Sequence, residues 1–172
     1  MNIIDTHTHL YLNQFKDDID KVIQRSKDIG INKFLKSEGY SSVKLIFLKT
    51  KHYLIEAKVN SITGRFILDT GASNSCICSS LENKFKVISE DSKEKASSAN
   101  SEMTHTKISK RNKIQIGNWV NELDLITFDM NHINNALSQK KVPPIDGIIG
   151  ADILKKSKAV LDYKTNKLYL KL

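Results

Sequence analysis

Alternating apolar and polar positions dominate the chain from residue 43 onwards. Apolar and polar side chains alternate in residues 43–50 (VKLIFLKT) and 52–59 (HYLIEAKV). Turn-forming residues follow at 60–64, and the next strand is predicted at 65–69 (RFILD). Because successive side chains of a strand face opposite sides, this pattern predicts a β-hairpin. Further strands are predicted at 113–117, 119–130, 159–163 and 168–172, with short helices near 131–137 and at the end of 145–154. The pattern therefore predicts an all-β unit with a short C-terminal helix.

Residues 1–36 follow a different pattern. A short apolar strand at 2–4 precedes a histidine-bearing loop and an amphipathic helix, whose apolar stripe includes Ile19, Val22 and Ile23. Gly30 is placed to end that helix in a left-handed conformation. Residues 37–42 (SEGYSS) are polar and small, which predicts a linker. The predicted organisation is an N-terminal strand–helix extension (1–36), a linker (37–42) and a main domain (43–172).

The composition is that of one ordinary globular domain with a small appendage. The chain has 172 residues, 40% of them hydrophobic, and a formal net charge of +8. Its lysines are scattered, which is typical of a solvated surface, so we expect no nucleic-acid partner. We recognise no signal peptide and no apolar run of about 20 residues, the length of a membrane span. The expectation is a soluble, cytoplasmic protein without a membrane partner.

The two cysteines, Cys76 and Cys78, are separated by one residue. On a strand their side chains point to the same face, and a disulfide across so short a loop is strained. No second cysteine pair is present to complete a zinc site. Two reduced thiols are therefore predicted, as in most cytosolic proteins.

The stretch FILDTGAS (residues 66–73) places an acid directly after three apolar residues. An Asx-type turn at Asp69 is the simplest explanation. However, an apolar run on both faces predicts a strand buried on both sides, and a carboxylate there is costly unless it is paired or functional. A second apolar segment, Ile148-Ile149-Gly150, follows about 80 residues later. Its glycine suits close packing beneath a tight loop.

Together, FILDTGAS, GIIGADIL (147–154) and the closing AVLDY hairpin (159–163) resemble the retropepsin-type aspartic peptidases over residues 43–172. The resemblance implies an all-β, single-domain acid-protease fold that acts as a homodimer on polypeptides, without a cofactor. Each subunit contributes one Asp69, and the two carboxyl groups share one proton at mildly acidic pH. The ionised partner takes a proton from the attacking water, and the protonated partner donates to the developing oxyanion.

The same resemblance implies supporting roles around Asp69. Thr70 would bond across the dimer axis, Gly71 would approach the carboxylates, and the C-terminal hairpin would add to a dimer sheet. The remaining residues would line the cleft or brace the loop from below: Ala72 and Ser73 in the first role, and Ile148, Ile149 and Gly150 in the second.

The stretch from 96 to 105 (ASSANSEMTH) is where such peptidases carry a glycine-rich flap over the substrate. It contains no glycine, so Asn100 is the residue best suited to a left-handed turn position. This departure leaves open a second interpretation, in which the chain is a non-catalytic, dimeric peptide-binding domain with the same fold.

The N-terminal stretch IIDTHTHL (3–10) carries His7 and His9, which would point the same way at the end of a strand. The stretch resembles the opening of a TatD-type metal-dependent deoxyribonuclease, whose barrel requires far more chain and further metal ligands. A metal-dependent nuclease remnant, with His7 and His9 as a weak metal pair, is therefore a third interpretation. No metal is expected in the leading interpretation, that of an aspartic peptidase.

Overall fold

The computed structural model describes residues 30–91, 97–98, 101–102 and 106–172, the two short pieces by their backbone only. The predicted strand and helix of residues 1–29, with His7 and His9, lie outside the described residues. Gly30 has a positive φ of 77°, but it precedes a helix that begins at the next residue.

The described residues form thirteen strands, four α-helices and one 3₁₀ turn. In chain order these elements are α1 (Ile31–Ser37), β1 (Tyr40–Lys44), β2 (Ile46–Phe47), β3 (Tyr53–Val59), β4 (Ile62–Leu68), β5 (Cys76–Cys78), the 3₁₀ turn (Ser79–Leu81), α2 (Glu82–Phe85), β6 (Glu90–Asp91), β7 (Ser97–Ser98), β8 (Ser101–Glu102), β9 (Lys107–Ile116), β10 (Trp119–Phe128), α3 (Asn131–Gln139), β11 (Gly147–Ile149), α4 (Ala151–Lys156), β12 (Val160–Asp162) and β13 (Lys167–Lys171). Among the described helices, none has the length and apolar character that a bilayer crossing requires.

The main sheet has eight strands in the order β2-β3-β4-β11-β5-β10-β9-β6. A further pairing between β3 and β9 curls it into a partly closed barrel. Most pairs are antiparallel, but β11 runs parallel to β4 and β5 runs parallel to β10. One hydrophobic cluster contains Phe66, Ile77 and Ile149, and a second contains Ile67, Cys76 and Met130. The central strands are therefore buried on both faces, as the apolar run before Asp69 predicted.

A second sheet, in the order β1-β13-β12, joins the two ends of the described chain. Helix α1 packs on it, because Phe34 and Leu35 form a small cluster with Tyr169. Strand β13 lies between β1 and β12, so both of its edges are paired within the chain. The C-terminal strand itself is thus not free to extend a dimer sheet.

Residues 37–42, predicted to be a linker, include the last residue of α1 and the first three residues of β1. Tyr40, Ser41 and Ser42 pair with Lys171, Leu170 and Tyr169 of β13. Residue composition did not indicate this pairing, because it depends on backbone hydrogen bonds to a strand that is distant in the sequence.

Other local predictions agree with the structure. The hairpin of β3 and β4 forms, and its turn narrows to Asn60 and Ser61, whose φ angles are 48° and 72°. The helix after residue 130 and the hairpin of β12 and β13 also form. The predicted strand at 43–50 is divided, because Leu45 is buried and its N–H donates to the Asn166 carbonyl at 2.8 Å. The mostly-β architecture is confirmed.

A short antiparallel ladder lies within the predicted flap. Ser97 pairs with Glu102, and Ser98 pairs with Ser101. These are the two arms of a hairpin, although its turn, including Asn100, lies outside the described residues. The backbone thus adopts the strand pairing that a flap requires.

Candidate active site

Asp69 directly follows β4, a central strand between β3 and β11. Leu68, the last residue of β4, is paired in parallel with Ile149, and the Asp69 N–H donates to the Ile149 carbonyl at 3.0 Å. Because Phe66, Ile67 and Leu68 are 7% exposed or less, the strand is fixed by its core up to the acid. The chain then leaves the core, and the Asp69 side chain is half-buried.

The loop after Asp69 folds back on the carboxylate. The Gly71 N–H donates to Asp69 Oδ1 at 2.8 Å, and the Ala72 N–H donates to the Asp69 carbonyl at 3.3 Å. A β-carbon on Gly71 would lie 3.3 Å from Oδ1, which is tighter than ordinary contact. Within the described part of the chain, Oδ2 accepts no hydrogen bond, so one carboxylate oxygen is held while the other is available for chemistry.

The structure brings part of the predicted set together with Asp69. Ala72 accepts a 2.7 Å hydrogen bond from the Ala151 N–H, which joins the loop to the start of α4. Thr70 is half-buried and Ser73 is exposed, and neither side chain makes a hydrogen bond within the described residues. Ile148 packs against the second hydrophobic cluster. The Ser73 side chain is therefore open to solvent, and that of Thr70 is partly so.

Gly150 is the point of closest approach between the two segments. A β-carbon there would lie 2.8 Å from the Ala72 carbonyl oxygen and 2.8 Å from the backbone of Asn74. Those neighbours are backbone atoms that cannot rotate away, so only glycine fits without a shift of the loop. This contact fits the bracing role predicted for Gly150.

A hydrogen-bonded pair that the sequence analysis did not identify, the buried Ser75 and the half-buried Asp152, connects the same two segments. The fully buried Ser75 hydroxyl donates to Asp152 Oδ1 at 2.6 Å and accepts from the Gly150 N–H at 2.9 Å. Asp152 Oδ2 accepts from the Ser75 N–H at 2.9 Å, and Oδ1 also accepts from the Ile153 N–H at 2.7 Å. The sequence did carry a signal, because a hydroxyl group and an acid each lie next to an apolar strand. Burying such polar groups is costly unless both have hydrogen-bond partners.

Cys76 and Cys78 are buried free thiols on β5, beside the loop. Burial raises the pKa of the Cys76 thiol to about 12, an effect opposed by a hydrogen bond from the Ile148 backbone and reinforced by the negative charges of Asp152 and Asp69. The thiolate is the reactive form of cysteine, so Cys76 is chemically inert near neutral pH. Cys76 is therefore not a candidate nucleophile beside the loop.

Comparison with known proteins agrees with this geometry. A sequence model of a family described as aspartyl protease matches residues 55–153, a range that contains both the Asp69 loop and Gly150. No curated protein sequence matches the chain.

Solved structures with a similar fold include a retropepsin-like aspartic protease from Rickettsia conorii. It is 17% identical, the match covers 76% of this chain and 90% of that one, and the TM-score is 0.56. EIAV protease in complex with the inhibitor HBY-793 is 17% identical over 64% and 92% of the two chains, with a TM-score of 0.48. The retroviral protease-like domain of Ddi1 from Leishmania major is 16% identical over 68% and 86%, with a TM-score of 0.46.

The similarity to the Rickettsia structure shows that the predicted all-β, retropepsin-like fold is correct. None of these matches supports the resemblance of the N-terminal residues to a TatD-type nuclease.

Proposed function

The chain belongs to the aspartyl protease family, and on that basis we propose that it is an aspartic endopeptidase that acts as a homodimer. The observation that carries this proposal is the position of Asp69, at the end of a buried strand with one carboxylate oxygen held by the Gly71 N–H. An aspartic mechanism needs two carboxyl groups, and this chain supplies one such loop. A second copy related by a two-fold axis supplies the other.

In the proposed dimer, two Asp69 carboxyl groups lie within hydrogen-bonding distance and share one proton. The ionised carboxylate takes a proton from a water molecule, and that water attacks the peptide carbonyl carbon. The protonated carboxyl group donates to the oxygen that becomes negatively charged. Collapse of the tetrahedral intermediate breaks the C–N bond, and the leaving nitrogen receives a proton from the pair. No covalent enzyme intermediate and no cofactor take part.

The remaining site residues act on Asp69 and not on the substrate bond. Ile149 and Gly150 hold the loop from below, and Ala72 and Ser73 line the cleft. The half-buried Thr70 bonds to the partner loop across the axis. The ladder of β7 and β8 serves as the base of a flap that covers an extended polypeptide.

Substitution of Asp69 by asparagine tests this proposal. Asp69→Asn preserves the shape of the side chain but cannot share a proton, so cleavage of an unfolded protein should fall by about a hundredfold or more. Asp124→Asn is the matched control, because Asp124 is exposed on β10 and an amide oxygen can still accept from the Arg111 N–H. Equal activity of the two variants would contradict the proposal.

The non-catalytic, peptide-binding dimer is the second candidate, favoured by the glycine-free sequence 96–105. It predicts a dimer that binds an unfolded polypeptide but releases no new N-termini at any pH between 3 and 8. Cleavage by the wild-type protein that is lost in Asp69→Asn would exclude it.

A further inference from the structure

A groove of about 600 Å³ crosses the outer face of strand β3. The side chains of Leu54, Glu56 and Lys58 point to this face, because alternate residues of a strand lie on the same side. Its volume is in the range of clefts that bind ligands. Residues of the neighbouring strands and of the β9–β10 turn complete the lining of what is called the β3 groove below: Lys44, Ile46, Thr63, Gln115 and Gly117.

The main chain of Glu56 opens into the β3 groove on the side of β9. In an antiparallel pair, the residues that exchange backbone hydrogen bonds with the partner recur at every second position. The Asn60 N–H donates to the Lys113 carbonyl of β9 at 2.8 Å, and Lys58 is also paired with β9. Glu56 is next in this series, but β9 ends before it can pair with Glu56. Gly117, which would lie opposite, belongs to the β9–β10 turn and has a positive φ of 56°.

The chain on the other side of the groove leaves β3 at the same residue. Strand β2 is paired with β3 only through Ile46 and Phe47. In the same register Lys44 would lie opposite Glu56, but Lys44 is paired with Lys167 of β13 instead. The N–H and C=O groups of Glu56 therefore point into the gap between β2 and β9, where no strand of the described chain pairs with them. An open stretch of strand edge of this kind can bind the main chain of an extended peptide.

The charges around this gap favour an acidic ligand. Lys44 and Lys58 lie on opposite sides of it and are exposed, and neither forms an ion pair within the described residues. Glu56 is the one acid among the described lining residues, and its cross-strand partner on the same face is Arg65 of β4. Three cationic side chains thus surround one carboxylate, which leaves positive charge for a ligand to neutralise.

We propose that the β3 groove binds an extended, acidic segment of a polypeptide. The main chain of the segment exchanges hydrogen bonds with Glu56, which supplies affinity that is independent of its sequence. Its acidic side chains contact Lys44 and Lys58, which supplies the preference for acid. An apolar side chain of the segment packs on Ile46, which is 53% exposed although it is apolar.

The β3 groove is separate from the Asp69 loop. Arg65, which is paired with Glu56, lies four residues before Asp69 along β4, a distance of about 14 Å at 3.4 Å per residue. A segment that fills the gap beside Glu56 therefore need not touch Asp69. Binding in the groove requires neither a shared proton nor a second copy of the chain. The inference thus goes beyond the proposed function, and binding tests it without any measurement of cleavage.

Fluorescence anisotropy measures the binding of a labelled peptide of alternating glutamate and leucine, about six residues long and so about 20 Å when extended. The protein is the full chain with Asp69→Asn, so that the proposed peptidase does not consume the probe. Lys58→Glu in that chain tests the groove, and Lys107→Glu is the matched control, because both change the net charge equally. Lys107 is exposed on β9, eight residues from Gln115 or roughly 27 Å. Circular dichroism checks the fold, and Lys44→Glu is a second test should Lys58→Glu not fold.

We expect Lys58→Glu to raise the dissociation constant of the probe by at least about tenfold and Lys107→Glu to leave it unchanged. Added salt should weaken binding, because it screens the lysines. A probe with N-methylated main-chain amides keeps every charge but cannot donate to the Glu56 carbonyl, so it should bind at least about tenfold more weakly.

Three results would overturn the inference: no saturable binding of the probe, equal effects of Lys58→Glu and Lys107→Glu, or equal binding of the N-methylated probe. The expected binding pattern, together with a wild-type chain that cleaves no peptide, would support the inference and contradict the proposed function. Cleavage that is lost in Asp69→Asn, without binding of the probe, would do the opposite.

Discussion

The hydroxyl group of Ser75 donates a 2.6 Å hydrogen bond to the carboxylate of Asp152. The two residues are 77 positions apart, and Ser75 also accepts from the Gly150 N–H. The pair thereby fastens the Asp69 loop to the β11–α4 segment through the buried Ser75 side chain. Its integrity should matter for both stability and catalysis.

Ser75→Ala should lower the free energy of unfolding by about 2 kcal/mol, because it removes one hydrogen bond to the Asp152 carboxylate and leaves the buried Gly150 N–H without a partner. Urea denaturation measures this change. Peptidase kcat should fall as well, since the loop loses a fixed contact. Ser138→Ala, an exposed serine on α3, should change stability by no more than about 0.5 kcal/mol. Equal stability of the two variants would show that the Ser75 bonds contribute nothing.

Gly150→Ala and Gly71→Ala should have different effects, the first on the stability of the fold and the second on peptidase kcat. A β-carbon at residue 150 meets backbone atoms at 2.8 Å, whereas one at residue 71 meets the Asp69 carboxylate at 3.3 Å. Gly150→Ala should therefore destabilise the fold by about 1–3 kcal/mol. Gly71→Ala should leave unfolding nearly unchanged and reduce kcat by displacing the carboxylate. Thermal unfolding and peptidase assays measure the two effects. A larger loss of stability in Gly71→Ala than in Gly150→Ala would contradict this structural explanation.

Cys76 should resist alkylation in the native protein. Burial raises the pKa of its thiol to about 12, so almost no thiolate is present at pH 8. Iodoacetamide should modify Cys76 only after unfolding, as measured by mass spectrometry of peptides. Because the unfolded thiol ionises near its ordinary pKa of 9.0 while the folded thiol stays protonated, unfolding is favoured as pH rises from 9 towards 12. Rapid modification of the native protein at pH 8 would contradict this prediction.

Peptidase activity should follow a bell-shaped pH profile with a maximum at mildly acidic pH. The proposed Asp69 pair is active only when it holds one proton, so activity falls when both carboxyl groups are protonated and again when both are ionised. Initial rates with an unfolded protein substrate between pH 3 and 8 measure the profile. The sedimentation coefficient at each pH provides the control, because dissociation of the dimer would also remove activity. A flat profile with a constant dimer would exclude a shared proton.

Local elements were predictable because their signals are local. The β3–β4 hairpin follows from alternation and from turn residues that tolerate positive φ, as Asn60 does. The burial of β4 up to Leu68 follows from an apolar run on both faces. The approach of Gly150 to the loop was expected from its residue type and was found at backbone-contact distance.

Two features depended on distant partners and were not predictable in this way. Residues 40–42 look like a linker in composition, yet they pair with β13. Ser75 and Asp152 carry no special spacing, and their relation exists only because β11 inserts between β4 and β5.

The sequence by itself determined the family, the strand that carries Asp69 and the glycine beneath its loop, because these depend on residue type and on short-range periodicity. Only the tertiary structure decided that the chain ends share a sheet, that Ser75 bonds to Asp152, and that Phe47 lies exposed two strands from the Asp69 loop. Strand order and burial are set by contacts between residues far apart in the chain. A pattern of neighbouring residues does not encode such contacts, since many pairings satisfy the same alternation.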